Sequence, residues 1–101
     1  MNRLGLDLIS DERKRQIEVE GWTKEHDQQH ACGELTDLAV CYALRSFWRK
    51  RISIPMLNPF NSEAFKPTPK DRVRELVKAG ALIAAEIDRL LNIEVEVENE
   101  H

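Results

Sequence analysis

The sequence predicts an all-α fold, a small helical bundle of three to four helices that is expected to be oligomeric. Residues 70–92 repeat apolar side chains at three- and four-residue spacing, residues 33–48 do the same, and strand-like alternation is confined to the last residues. With 101 residues, 42% of them hydrophobic and 33% charged, the composition is that of an ordinary globular chain and not of a disordered one. A chain of this length buries only roughly 60–70% of its unfolded surface, so its core is thin and association with further copies is a natural supplement. The expected organisation is a single helical domain over 1–92 and an acidic tail over 93–101.

A first helix is expected over about Leu8 to Glu20, capped by Ser10 or Asp11 and ended by Gly21 in a left-handed conformation. Its apolar face is only Leu8, Ile9, Ile17 and Val19, which predicts a surface position or a subunit contact. Residues 23–32 form a fourth helix if they are helical at all. The second main helix is expected from about Gly33 to Trp48, with Leu35, Leu38, Ala39, Tyr42, Ala43 and Phe47 as its apolar stripe. From Arg51 to Pro67 the periodicity breaks around Pro55, Pro59 and Pro67, which predicts a long loop carrying Phe60 and Phe65.

Residues 70–92 give the clearest helix. Its stripe is Val73, Leu76, Val77, Gly80, Ala81, Ile83, Ala84, Ile87, Leu90 and Leu91, with Arg72, Arg74, Lys78, Glu86, Asp88 and Arg89 opposite. Thr68 is placed to cap it, Pro69 suits the first helical position and Asp71 suits the positive end of the dipole. Gly80 costs about 1 kcal/mol against alanine in a helix interior, a cost that close approach of another helix would justify.

Charge and cysteine content narrow the function classes. The formal net charge is −3, and four glutamates, Glu94, Glu96, Glu98 and Glu100, lie in the tail, so the remaining body carries +1. No broad basic stripe argues for a nucleic-acid duplex. No run approaches the ~20 apolar residues that span a bilayer, and no basic leader precedes an apolar run, so a cytoplasmic protein with no membrane partner is expected. Cys32 and Cys41 are too few for a disulfide scaffold; Cys41 reads as a small buried hydrophobe.

The densest cluster of chemistry lies upstream of the second helix. Glu12, Glu18, Glu25, Asp27, His26, His30 and Trp22 crowd a segment that no packing requirement explains. Helix geometry puts Glu34 and Asp37 on one face, close enough to share a magnesium ion or simply to form a solvated acidic face. If residues 24–37 are helical, His26, His30 and Glu34 stack at four-residue spacing. They would then bind zinc, orient neighbouring carboxylates by hydrogen bonds, or lie exposed. Arg45, Arg49, Lys50 and Arg51 follow the second helix, where they either complement its dipole or clamp phosphate. Trp22 after Gly21 is either a plug on the first helix or a platform for a base.

These residues carry a resemblance. The set Glu12-Arg13-x-Arg15-Gln16, Glu20-Gly21-Trp22-Thr23-x-Glu25-His26-Asp27-x-x-His30, Gly33-Glu34-Leu35 and Arg74-Glu75-Leu76-Val77-Lys78-Ala79-Gly80-Ala81-Leu82-Ile83 looks like a group of small bacteriophage and prophage proteins. In helical pattern it is more distantly similar to the MazG-like all-α nucleoside triphosphate pyrophosphohydrolases. The second resemblance implies a magnesium cofactor held by Glu34 and Asp37, as the catalytic pair, with Glu12. Lys78 stands where that family carries a metal-binding aspartate, a departure that favours phosphate over metal.

The expected function is therefore nucleotide handling. In one form it is magnesium-dependent pyrophosphohydrolysis at Glu34, Asp37 and Glu12. In another it is non-catalytic sequestration of a nucleotide or of a cyclic-nucleotide immune signal in the host cytoplasm. Its binding residues would be Arg15, Trp22, His26, His30, Arg49, Arg74 and Lys78. A helical protein–protein interaction module is the third class.

Overall fold

The computed structural model describes residues 3–21, 34–49, 51 and 65–91. Among these the chain is all helical: α1 (Gly5–Glu18), α2 (Glu34–Ala43), a single turn α3 (Ser46–Arg49) and α4 (Arg72–Leu91). The expected helix at 23–32, most of the 51–67 loop and the tail over 93–101 lie outside the described residues.

Helix α1 begins three residues earlier than the sequence suggests. The Leu4 amide donates to the Asp7 carboxylate at 3.2 Å and closes the first turn, so Ser10 and Asp11 lie inside the helix instead of capping it. Its end is as expected: Val19 and Glu20 amides both reach back to the Arg15 carbonyl, and Gly21 follows with φ of 77°, a left-handed conformation that glycine adopts without penalty.

Helix α4 is the element on which both α1 and α2 pack. It starts at Arg72, because residues 68–71 form a tight turn in which the Asp71 amide donates to the Thr68 carbonyl at 2.8 Å. Asp71, not Thr68, is the cap; its carboxylate accepts from the Arg74 amide at 3.1 Å. The core lies between α2 and α4: Leu35, Leu38, Ala39 and Tyr42 meet Ala79, Leu82 and Ala85, and Phe65 packs edge-on to Tyr42 at 5.0 Å. Gly80 is where α1 comes closest. A Cβ at that position would stand 2.6 Å from Ile9 Cδ1 and 2.9 Å from Cγ1, so the close approach foreseen for this glycine is made by α1.

The second helix is shorter than the periodicity implies. It ends at Ala43 and does not continue to Trp48, and Ala43 and Phe47 are exposed. The last carbonyls of a helix have no intrahelical partner, and here two guanidinium groups supply one. Arg49 donates to Cys41 O at 3.2 Å and Tyr42 O at 3.0 Å. Arg72 donates to Tyr42 O at 3.0 Å, to Leu44 O at 3.2 Å and to Ala43 O. Both arginines are aligned by Glu75, whose side chain is 1% exposed. It accepts from Arg49 at 2.9 Å, from Arg72 at 3.0 Å and from the Thr68 amide at 2.9 Å. A continuing helix would have used these carbonyls itself.

The stripe of α4 is also placed differently. Val77 and Ala81 are buried as expected, but Leu76, Ile83, Ile87, Leu90 and Leu91 are between 47% and 67% exposed and Val73 is exposed too. The buried face runs instead through Glu75, Ala79, Leu82 and Ala85. A charged residue sits on the inner face because its partners come with it.

Two outcomes test this reading of the packing. Gly80→Ala gains about 1 kcal/mol of helix propensity but overpacks Ile9. It should therefore stabilise the chain in an Ile9→Ala background and not in the wild type, as read by paired chemical-denaturation curves. Glu75→Ala removes the buried carboxylate from two arginines, one nearly enclosed and one partly exposed, and should cost about 3 kcal/mol; an effect below about 1 kcal/mol, the worth of an exposed ion pair, would show that the carboxylate does not organise the α2 terminus.

Candidate functional site

Two of the residues singled out in the sequence, Glu12 and Arg15, lie on the inner face of α1, and two more, Arg74 and Lys78, lie on α4 one turn apart. The packing of α1 on α4 brings them together. Glu12, 2% exposed, accepts two bonds from Arg15 at 2.9 Å, one ion pair from Arg74 at 2.8 Å and a long bond from Gln16 at 3.4 Å. Arg15 continues to Glu20 at 3.0 Å, and Lys66 reaches the other oxygen of Glu20 at 4.0 Å. Lys78 donates to the Lys66 carbonyl at 3.1 Å and its ammonium lies 5.4 Å from the Tyr42 ring centroid. The Tyr42 hydroxyl in turn accepts from the Lys66 amide at 2.8 Å.

The result is a band of linked charges, Arg74–Glu12–Arg15–Glu20–Lys66–Lys78, in which four cations surround two carboxylates. Burial and these neighbours together set how the groups titrate. Burial by itself pushes the Glu12 carboxyl up, but the Arg15 hydrogen bonds and the charges of Arg74 and Arg15 outweigh it and hold the group below its usual range. The Arg15 guanidinium is raised, first by its bonds to Glu12. Lys78 is lowered, by burial and then by Arg74, with Arg15 and Lys66 adding to the repulsion and Glu12 opposing it.

A groove of about 280 Å³ opens beside the band, between α1 and the start of α4. Leu8, Val73 and Val77 line it with apolar surface, Arg15, Arg74 and Glu12 form its charged wall, and Asp11 and Asp71 stand at its edge. A groove with an apolar floor and a few polar groups at one wall suits a small ligand with a charged end.

The other predicted site residues are not gathered here. Glu34 and Asp37 occupy the first turn of α2, three residues apart and half-buried. Among the described residues no three His, Cys, Asp or Glu side chains form a group that could hold a metal ion, so Glu12 does not join Glu34 and Asp37 as a ligand set. Arg49 belongs to the α2 terminus. Trp22, His26 and His30 lie outside the described residues. Cys41 is fully buried and free, with a thiol pushed up by burial and by Asp37, in keeping with an inert core residue.

Glu20 and Lys66 are the members of the band, and Tyr42 its neighbour, that sequence reasoning did not single out as site residues. Glu20 was visible as part of the dense acidic segment, whereas Lys66 carries no local signal: only the fold returns residue 66 to α4. Compared with protein-family models, with curated proteins and with solved structures, the chain matches none at a significant level.

The two buried glutamates set an acid limit on stability. Burial also pushes Glu75 up and is outweighed by the Arg49 and Arg72 hydrogen bonds, the Arg49 charge and the Thr68 amide, so its pKa is lowered as well. A carboxyl lowered in the folded state contributes stability in full above its ordinary value of 4.5 and loses it as pH falls through the folded value. The melting temperature should therefore be nearly flat from about pH 6 to 8 and fall below the ordinary carboxyl range. Glu12→Gln should lower the plateau and flatten the fall, and an unchanged acid limb in that variant would show that Glu12 does not carry it.

Proposed function

We propose that this chain captures a phosphorylated small molecule, a nucleotide or a cyclic nucleotide, at the junction of α1 and α4, and holds it without hydrolysing it. The observation that carries this reading is the gathering of Arg15, Arg74, Lys66 and Lys78 about Glu12 and Glu20, with Arg15 and Arg74 lining a groove that also holds Asp11 and Asp71. A phosphate placed against Lys78 and Arg74 would relieve the repulsion that Lys78 feels and would meet a planar guanidinium suited to bidentate contact. The apolar groove beside it offers room for a nucleoside. Because both oxygens of Glu12 already serve arginines, that carboxylate supports a role in positioning cations over a role in binding magnesium. Sequestration of a nucleotide or immune signal in a host cytoplasm, by a protein of the phage type that the sequence resembles, fits a site of this kind.

A second reading keeps the enzyme. Glu34 and Asp37 share the first turn of α2 at a spacing that lets both carboxylates meet one magnesium ion, which would polarise a phosphoryl group and activate water.

The readings separate in one assay. Melting temperature and calorimetric binding are measured with ATP, a cyclic dinucleotide and inorganic pyrophosphate, each with and without magnesium. Capture predicts a metal-free rise in melting temperature for at least one of them, weakened by salt, with the ligand recovered unaltered. Lys78→Gln keeps a donor for the Lys66 carbonyl and removes the charge. It should weaken binding by about 10- to 100-fold, the worth of one charged hydrogen bond, without destabilising the free protein. Indifference to all three probes overturns the proposal, and magnesium-dependent pyrophosphate release abolished by Glu34→Gln replaces it with the second reading.

A further inference from the structure

Helix α4 has an apolar face that neither α1 nor α2 uses. Leu76, Ile83, Ile87 and Leu90 follow one another at 7, 4 and 3 residues, positions of a coiled-coil seam; Gly80, which falls between the first two, is taken by Ile9 of α1. Among the described residues nothing covers the four large side chains, and Leu91 extends the face toward the helix end. The patch amounts to roughly 500 Å² per chain, at the upper end of what a monomer leaves in contact with water. Two such patches closed on each other approach the roughly 1,000 Å² that a specific interface needs.

We infer that this face is the contact between two copies of the chain, with α4 packed antiparallel to α4 across a two-fold axis. A second copy is the occupant that the chemistry fits. The seam positions carry no charge, so a two-fold axis brings no like charges together, and an isologous contact needs only that the patch complement itself. Antiparallel pairing places Leu76 opposite Ile87 and sets the helix dipoles head to tail. Parallel pairing would align the dipoles unfavourably.

The contact is independent of the ligand reading. Arg74 and Ile83 are nine residues apart, as are Lys78 and Ile87, and nine residues are two and a half turns, so the cations and the seam lie on opposite sides of α4.

Sedimentation equilibrium on the full chain over a concentration series tests it. The wild type should run at twice its 11.7 kDa mass, with a melting temperature that rises with concentration. The Ile83→Glu/Ile87→Glu variant should run at once that mass with its helix content retained by circular dichroism. Leu90→Ser, at the end of the seam, should raise the dimer dissociation constant at least about tenfold, since one large apolar side chain is lost from each copy, and it gives the same answer should the double variant unfold. A wild type that is monomeric at about 100 µM, far above the dissociation constant of a specific interface, overturns the inference, and so does a dimer indifferent to both variants.

Discussion

The carboxylate of Glu75 is the group on which the rest of this structure depends. The last carbonyls of a helix must find donors outside it, and α2 ends against α4. Two arginines supply the donors, and one buried glutamate aligns both guanidinium groups and accepts the Thr68 amide as a third. The chain's course follows from that arrangement. Helix α2 stops at Ala43 because its last carbonyls are already taken, the Ser46–Arg49 turn folds back so that Arg49 can reach them, and Thr68 is pinned above the start of α4. Pinning Thr68 fixes the residues before it, which sets Phe65 on Tyr42 and brings Lys66 beside Lys78. The candidate site therefore rests on an ion cluster that takes no part in it.

Glu12 repeats the device between α1 and α4, with a different outcome. Around Glu75 the Arg49 side chain is nearly enclosed, at 13% exposure, and its donors are spent on backbone. Around Glu12 the side chains of Arg15 and Arg74 are 35% and 34% exposed, and the band continues to Lys78, which donates to the Lys66 carbonyl. The first arrangement closes a helix end, and the second leaves positive charge facing a groove. Charge at a partly exposed site is worth little to folding, because solvent screens it. An anionic ligand that excludes some of that solvent would gain more from it.

What was legible in the sequence followed from periodicity and from special residues. The helices at α2 and α4 were visible in three- and four-residue spacing, the end of α1 in Gly21, the close approach of two helices in Gly80, and the burial of Cys41 in its neighbours. What was not legible depended on contacts between distant positions. The apolar stripe of α4 is plain in the sequence, yet the face that is buried runs through Glu75, and nothing near Glu75 announces that Arg49, 26 positions away, will neutralise it. The length of α2 is hidden for the same reason, since Phe47 continues the apolar pattern while the arginines that take its last carbonyls belong to other elements. Among the residues expected at a site, Arg15 and Arg74 both meet Glu12, Lys78 lies one turn from Arg74, and Glu34 and Asp37 form no three-residue acidic group with Glu12.

These substitutions of charge for grease have a consequence for the molecule as a whole. A buried ion cluster contributes less to stability than apolar residues of the same volume, so a chain that places Glu75, Glu12, Arg13 and Gln16 inside draws less from its interior than its length allows. The apolar residues that could have made up the difference are present, but they line the outer side of α4. Conformational entropy opposes folding in proportion to chain length, and a small core with polar members offsets it poorly. Closing the outer face of α4 on a second chain would add the missing hydrophobic term while leaving the opposite side, with its cations and groove, open to a ligand. The same helix would then serve three purposes on three faces, and the charges buried on one of them are the reason the apolar residues remain available on another.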